Sequence, residues 1–227
     1  MGVFPSPNCG SRRHGAGPDM VVLHYTAMAT AAAAIERLCD PCFEVSAHYV
    51  IAEDGKVTQL VAEPDRAWHA GAGAWGSVDD VNSHSIGIEL ANGGPDSDAP
   101  EFPKAQMIAL ETLLAGILLR WSIPPERVIA HSDMAPGRKL DPGPCFDWQR
   151  LAGKGLSIWL DADPQDADWT IFKKSAVEFG YRAETDSDWQ NVLEAFRLRF
   201  YPNVIGPLNG QDVGTITALA LNYPCRP

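Results

Sequence analysis

The sequence predicts an α/β protein: a mixed central β-sheet flanked by helices, with a small C-terminal three-helix domain. Three observations lead there. Short β-branched runs alternate with stretches of helical periodicity up to about residue 159, which implies layered strands and helices. Polar residues end three of those runs, at His24, Glu89 and His131, so they converge on one edge of a sheet. Beyond "KGLSIWLDADPQDADWT", where acidic residues and a proline interrupt the pattern, only helical periodicity returns.

Taken in order, "DMVVLHYT" is a β-branched strand that runs into His24, and an Ala-rich helix over 30–38 follows. "AHYVIAEDGKVTQLV" holds two alternating runs around Asp54-Gly55, the signal of a hairpin. "SIGIELA" is the next strand. In "PKAQMIALETLLAGILLRW", Met107, Leu110, Leu114, Ile117 and Leu118 recur at spacings of three and four, which predicts one long amphipathic helix opened by Pro103. "RVIAHS" is the strand that delivers His131. After a linker over 160–170, helices are expected over 170–179, closed by Gly180, over 187–200, capped by Ser187 or Asp188, and over 211–221. Trp189, Val192, Leu193, Phe196 and Phe200 share one face of the second. The resulting division is a catalytic domain over 1–159, the linker, and a helical domain over 171–227.

Composition narrows the partners. With 45% hydrophobic and 21% charged residues in 227, the chain has the makeup of a globular protein able to bury a core. Its net charge of -11 speaks against nucleic acid or anionic lipid, whose binding rests on Lys and Arg. No run reaches the ~18 apolar residues of a membrane span, and the N-terminal stretch is too polar for a signal peptide. A cytoplasmic location is therefore expected, with a periplasmic one as the alternative if a signal was removed. The five cysteines form no secreted-type framework, and "CDPC" at 39–42 lacks a second pair, so structural thiols are expected. Oligomeric state is left open, with no coiled-coil repeat in evidence.

The segment "AHSDMAPGRKLDPGP", 130–144, concentrates the chemistry. Prolines 136, 142 and 144 stiffen a loop holding His131, Lys139 and Asp141. Two histidines and an aspartate, His24, His131 and Asp141, make a sound zinc set that leaves a fourth position for water, although spacing alone leaves structural histidines as the alternative. Lys139, two residues before Asp141, points to the same side of an extended loop, where a cation stabilises developing negative charge.

Together, "VVLHYTA", "VSAHYVI", "AWHAG", "NSHSIGIELAN" and "AHSDMAPGRKLDPGPCFDW" resemble the zinc-dependent N-acetylmuramoyl-L-alanine amidases of the AmpD/AmiD type, which share the peptidoglycan-recognition-protein fold. The tail, through "EFGY", "VLEAFRLRF" and "GTITALA", is similar to the AmiD extension and to peptidoglycan-binding helical modules. The resemblance implies a hydrolase of peptidoglycan or muropeptides, acting in cell-wall degradation or recycling. It implies one zinc ion per chain on His24, His131 and Asp141, with Glu89 and Lys139 as catalytic residues. Trp68 and His69 are implied in the substrate groove, and Arg138 is suited to a substrate carboxylate. Some relatives carry a Tyr where this chain has Ala47, which leaves proton transfer to Glu89. Glu44 and Val81 stand in stretches where the AmpD branch tends to have Arg, so selectivity for anhydro-muropeptides is not expected to be strict. His48 reads equally as core or groove. The rival readings are a binding protein that has lost the reaction and a peptidase cutting within the stem peptide.

Overall fold

The computed structural model describes residues 2–94 and 101–225. In chain order the elements are β1 (Gly2–Val3), β2 (Cys9–Ser11), β3 (Met20–Tyr25), α1 (Ala31–Cys39), β4 (Tyr49–Ile51), β5 (Val57–Gln59), β6 (Asp65–Ala67), α2 (Val81–His84) and β7 (Ser85–Leu90). Then come α3 (Lys104–Trp121), β8 (Val128–Ala130), α4 (His131–Met134), α5 (Trp148–Ala152), α6 (Trp169–Phe179), α7 (Asp186–Phe200) and α8 (Gly210–Asn222). Six strands form one mixed sheet in the order β1-β5-β4-β7-β3-β8, and β2 pairs with β6 apart from it. The β4–β5 hairpin is antiparallel around Asp54-Gly55, whereas β4, β7, β3 and β8 run parallel. Both faces of those parallel strands are covered, so they read as nearly continuous apolar runs.

Strand periodicity divides the core in two. Val21 and Leu23 of β3, with Ile86, Ile88 and Leu90 of β7, bury against Met107, Leu110, Leu114 and Ile117 of α3. Met20 and Val22, with Ile129 of β8, face the other way and pack with Phe172, Phe179, Val192, Phe196, Phe200 and Ile216 of α6–α8. Each such side chain taken wholly from water contributes about 1.5–3 kcal/mol. The aromatic face of α7 predicted from the sequence is therefore the face turned toward the sheet.

Several boundaries follow from caps the sequence reading placed differently. Helix α7 is capped by Thr185, with Asp188 returning the bond as the partner of a capping box, in place of Ser187 or Asp188 as the cap. Asp168 and Asn209 cap α6 and α8. Gly180 closes α6 as expected, at φ 136, and a Cβ there would lie 2.5 Å from the Trp75 ring. The stretch before α6 lies along α8, where Gly210 and Gly214 leave room for the carbonyls of Gln165 and Asp163. His131 begins α4 rather than ending a strand. The cysteines are free thiols, and no helix among the described residues is long and apolar enough to cross a membrane.

Behind His131 lies a fully buried ion pair between the sheet layer and the C-terminal helices. Arg199 of α7 donates to Asp133 Oδ2 at 2.8 Å, and Tyr181 OH donates to Asp133 Oδ1 at 2.6 Å. The same carboxylate accepts the Ala130 N–H, so it caps the turn that starts at His131. The Arg199 guanidinium also stacks on the Trp148 ring, 4.3 Å from its centre.

Candidate active site

Because side chains alternate along a strand, His24 leaves β3 on the face of Met20 and Val22. Glu89 is its register partner on β7 and emerges on the same face. His131 arrives from the other side of β3 through β8, and the loop after α4 returns Asp141, whose carbonyl accepts the Ser132 N–H. The three expected ligands meet: His24 Nδ1, His131 Nδ1 and Asp141 Oδ2 stand 2.9 Å from one another, all three residues buried. Among the described residues this is the group of His, Cys, Asp and Glu side chains able to hold a metal ion.

The donor set can be tested for fit. His131 Nε2 lies 2.9 Å from the Ala70 carbonyl, which can only accept, so Nε2 carries the ring hydrogen and Nδ1 presents a lone pair. That lone pair faces a carboxylate oxygen 2.9 Å away. Two acceptors this close require a proton or a cation between them. Neutral imidazoles and a carboxylate suit zinc, whose tetrahedral ligands at about 2.0–2.1 Å leave one position open in a hydrolytic site. Burial, then the neighbouring His131, holds His24 down to about 4, which keeps it the neutral ligand a metal needs.

Glu89 and Lys139 line the same cleft of about 460 Å³, together with Trp68, Arg138 and the ligands. Burial, with the Asp141 carboxylate adding to it and Lys139 opposing, pushes the Glu89 carboxyl well above its ordinary range. Glu89 Oε2 is buried with no hydrogen-bond partner, a polar atom left for chemistry. Trp68 is half-buried on the wall of the cleft. His69 also borders it, but its ring nitrogens face His24 Nε2 at 3.0 Å and Ser85 Oγ at 3.1 Å. Arg138 donates to the carbonyls of Ala70 and Ala72. His48 is core: it is fully buried, with Nδ1 accepting the Gly87 N–H and Nε2 facing the Asp65 carbonyl. Ala47 is buried beside Leu38, Val50 and Leu60, so that position offers no proton donor.

A larger groove of about 780 Å³ lies between α3 and the β4–β5 hairpin. Its central carboxylate, Glu63, accepts from Tyr49, Arg120 and Trp121 and is satisfied by them. None of its lining residues has a buried side-chain polar atom without a partner, as Glu89 does, which makes it the lesser candidate.

Sequence reasoning missed Asn82, Ser85 and the Ala70 carbonyl, which surround the histidines. Asn82 Oδ1 accepts the N–H groups of both His69 and Ala70. These bonds join segments distant in the chain, and no local periodicity announces them.

A parallel-stranded edge that gathers two imidazoles and a carboxylate beside an unpartnered glutamate and a lysine defines a hydrolase site. Residues 14–144 match the N-acetylmuramoyl-L-alanine amidase family, and the chain belongs to it. It is 35% identical to the N-acetylmuramoyl-L-alanine amidase AmiD of Escherichia coli, over 88% of this chain and 80% of that one. The structure of that enzyme in complex with anhydro-N-acetylmuramic acid-L-Ala-D-gamma-Glu-L-Lys superposes with a TM-score of 0.82 at 33% identity, covering 92% of each chain. AmpDh3 of Pseudomonas aeruginosa in complex with anhydromuramic pentapeptide gives 0.81 at 31% identity, over 98% of this chain and 96% of that one. The protein is an amidase of this family, and its fold is theirs.

Proposed function

We propose that this amidase cleaves the amide between the lactyl group of N-acetylmuramic acid, in its ordinary or 1,6-anhydro form, and L-alanine of the stem peptide, with one zinc ion on His24, His131 and Asp141. The observation that carries this reading is the meeting of Nδ1, Nδ1 and Oδ2 within hydrogen-bonding distance of one another, at the floor of a cleft that also holds Glu89 and Lys139. Zinc bound there supplies a Lewis acid for the scissile carbonyl and lowers the pKa of water.

The chain supplies the rest. Glu89 takes the proton of the attacking water and returns it to the leaving amine of L-alanine. Its raised pKa suits a group that must accept and release within one turnover, and cationic charge beside it favours the ionised form at the start. The Lys139 ammonium faces the negative charge that develops on the carbonyl oxygen. Trp68 offers an apolar wall to sugar or peptide.

Substrate class is supported by the relatives crystallised with anhydromuramyl peptides. Acceptance of both sugar ends is supported by Glu44, Asp80 and Val81: Glu44 is exposed, Asp80 is paired with Arg66, and Val81 is buried, so none offers a cation to select one end. Mass spectrometry of digested sacculi and of the two purified muropeptides tests the reading. Intact stem peptides released from both are expected. Shortened stems would indicate a peptidase, no product would indicate a binding protein, and a hundredfold preference for the anhydro form would overturn the breadth of substrate.

A further inference from the structure

Beneath the cleft, one short segment touches both histidines. Ser85 Oγ donates its single hydrogen to the Val81 carbonyl at 2.6 Å, so toward His69 Nε2, 3.1 Å away, it presents only lone pairs. His69 thus carries its hydrogen on Nε2, and its Nδ1 is an acceptor. That acceptor stands 3.0 Å from His24 Nε2. His24 in turn donates from Nε2 and turns the lone pair of Nδ1 toward His131 and Asp141. The next residue, Ala70, does the equivalent for His131 through its carbonyl, which also accepts from Arg138 at 2.7 Å. Asn82 pins the segment by taking both N–H groups. The His69 ring sits directly on β7, where a Cβ at Gly87 would lie 2.4 Å from its Cγ.

We infer that His69 and the Ala70 carbonyl, held by Ser85 and Asn82, are positioning groups that fix both histidines in the tautomer with Nδ1 free for the metal. A histidine free to exchange tautomers spends part of its time with a hydrogen where the metal must bind. Holding the hydrogen on the far nitrogen removes that competition and sets the ring plane. The inference rests on the zinc reading above, and its test separates the two.

His69→Phe keeps the ring volume and removes the acceptor; His69→Asn restores an acceptor near the place of Nδ1. Zinc affinity is measured by competition with a chromophoric chelator, and imidazole 15N shifts of the metal-free proteins report which nitrogen of His24 is protonated. His69→Phe is expected to lose about 10–100-fold in zinc affinity, with His24 populating both tautomers. His69→Asn should recover most of both. If His69→Phe does not fold, Ser85→Ala carries the same forecast, because it leaves the ring in place and frees its proton. Wild-type affinity together with an unchanged His24 tautomer in the folded variant would overturn the inference alone, whereas a wild-type protein that binds no zinc would overturn the zinc reading and this inference with it.

Discussion

His24 and Glu89 are register partners on the adjacent parallel strands β3 and β7, so a candidate ligand and a candidate proton carrier leave the sheet side by side. Their separation is set by strand spacing, about 4.7–4.9 Å, and not by a loop. Removing the Glu89 carboxylate should therefore leave the ligands in place. Glu89→Gln is expected to keep one zinc per chain and lose about 10²–10⁴ in turnover. Metal content and single-turnover rates check it, and wild-type turnover in the zinc-loaded variant would take Glu89 out of the mechanism.

The same variant should be more stable. Glu89 has a pKa raised by burial, so at neutral pH the folded state bears a cost that the solvated carboxylate of the unfolded chain does not. This cost is absent below the unfolded value of about 4.3 and grows as pH rises toward the folded one, at about 1.4 kcal/mol per pKa unit. Metal-free Glu89→Gln should melt a few degrees above metal-free wild type at pH 7. Calorimetry is the measurement, and a lower Tm would mean that the carboxyl stabilises the fold.

Lys139→Ala is expected to retain zinc and to lose about 10²–10³ in kcat. Since the proposed mechanism has Lys139 and Glu89 act on one transition state, the double variant should fall by less than the product of the two losses. A multiplicative loss would place them in separate steps.

Acid should weaken the metal-free protein through its buried histidines. Burial lowers His24 to about 4 and His48 to about 3, against about 6.5 unfolded. Below that unfolded value the unfolded chain binds more protons, so the stabilisation is complete above about pH 6.5 and is lost as pH falls toward the folded values. Each group contributes up to about 1.4 kcal/mol per pH unit in that window. Urea titrations at pH 7, 6 and 5 should show the decline, and a flat profile would mean that these rings are not held neutral.

Arg199→Met should destabilise strongly, because it leaves Asp133 charged and buried behind His131. A loss of about 3–5 kcal/mol is expected, with Arg199→Met/Asp133→Asn losing less than Arg199→Met alone. Denaturant midpoints of the three proteins decide it.

Three of the candidate site residues were legible because polar residues at the ends of apolar strands break a strong local pattern: His24 after "VVL", Glu89 within "SIGIEL", His131 after "VIA". The hairpin and α3 were legible for the same reason, as their periodicity is local. The partners of His69 were not, because residues 69, 82 and 85 meet through a turn and an irregular loop whose path no residue pattern encodes. The direction in which the C-terminal helices face was also hidden: an apolar stripe on α7 says that something covers it, and only the sheet's second face, with Met20, Val22 and Ile129, says what.

The Asp133–Arg199 pair also gives the protein a sequence in time. A chain leaving the ribosome has exposed all its candidate ligands once Asp141 is out, while the guanidinium that neutralises the carboxylate under His131 is still to be translated. Until α7 emerges, the turn that carries His131 holds an uncompensated charge and the sheet lacks its second cover. A nascent chain that ends before α7 thus carries the candidate site side chains while the carboxylate beneath His131 is still unpaired, and the site gains its support only once Arg199 has folded against the sheet.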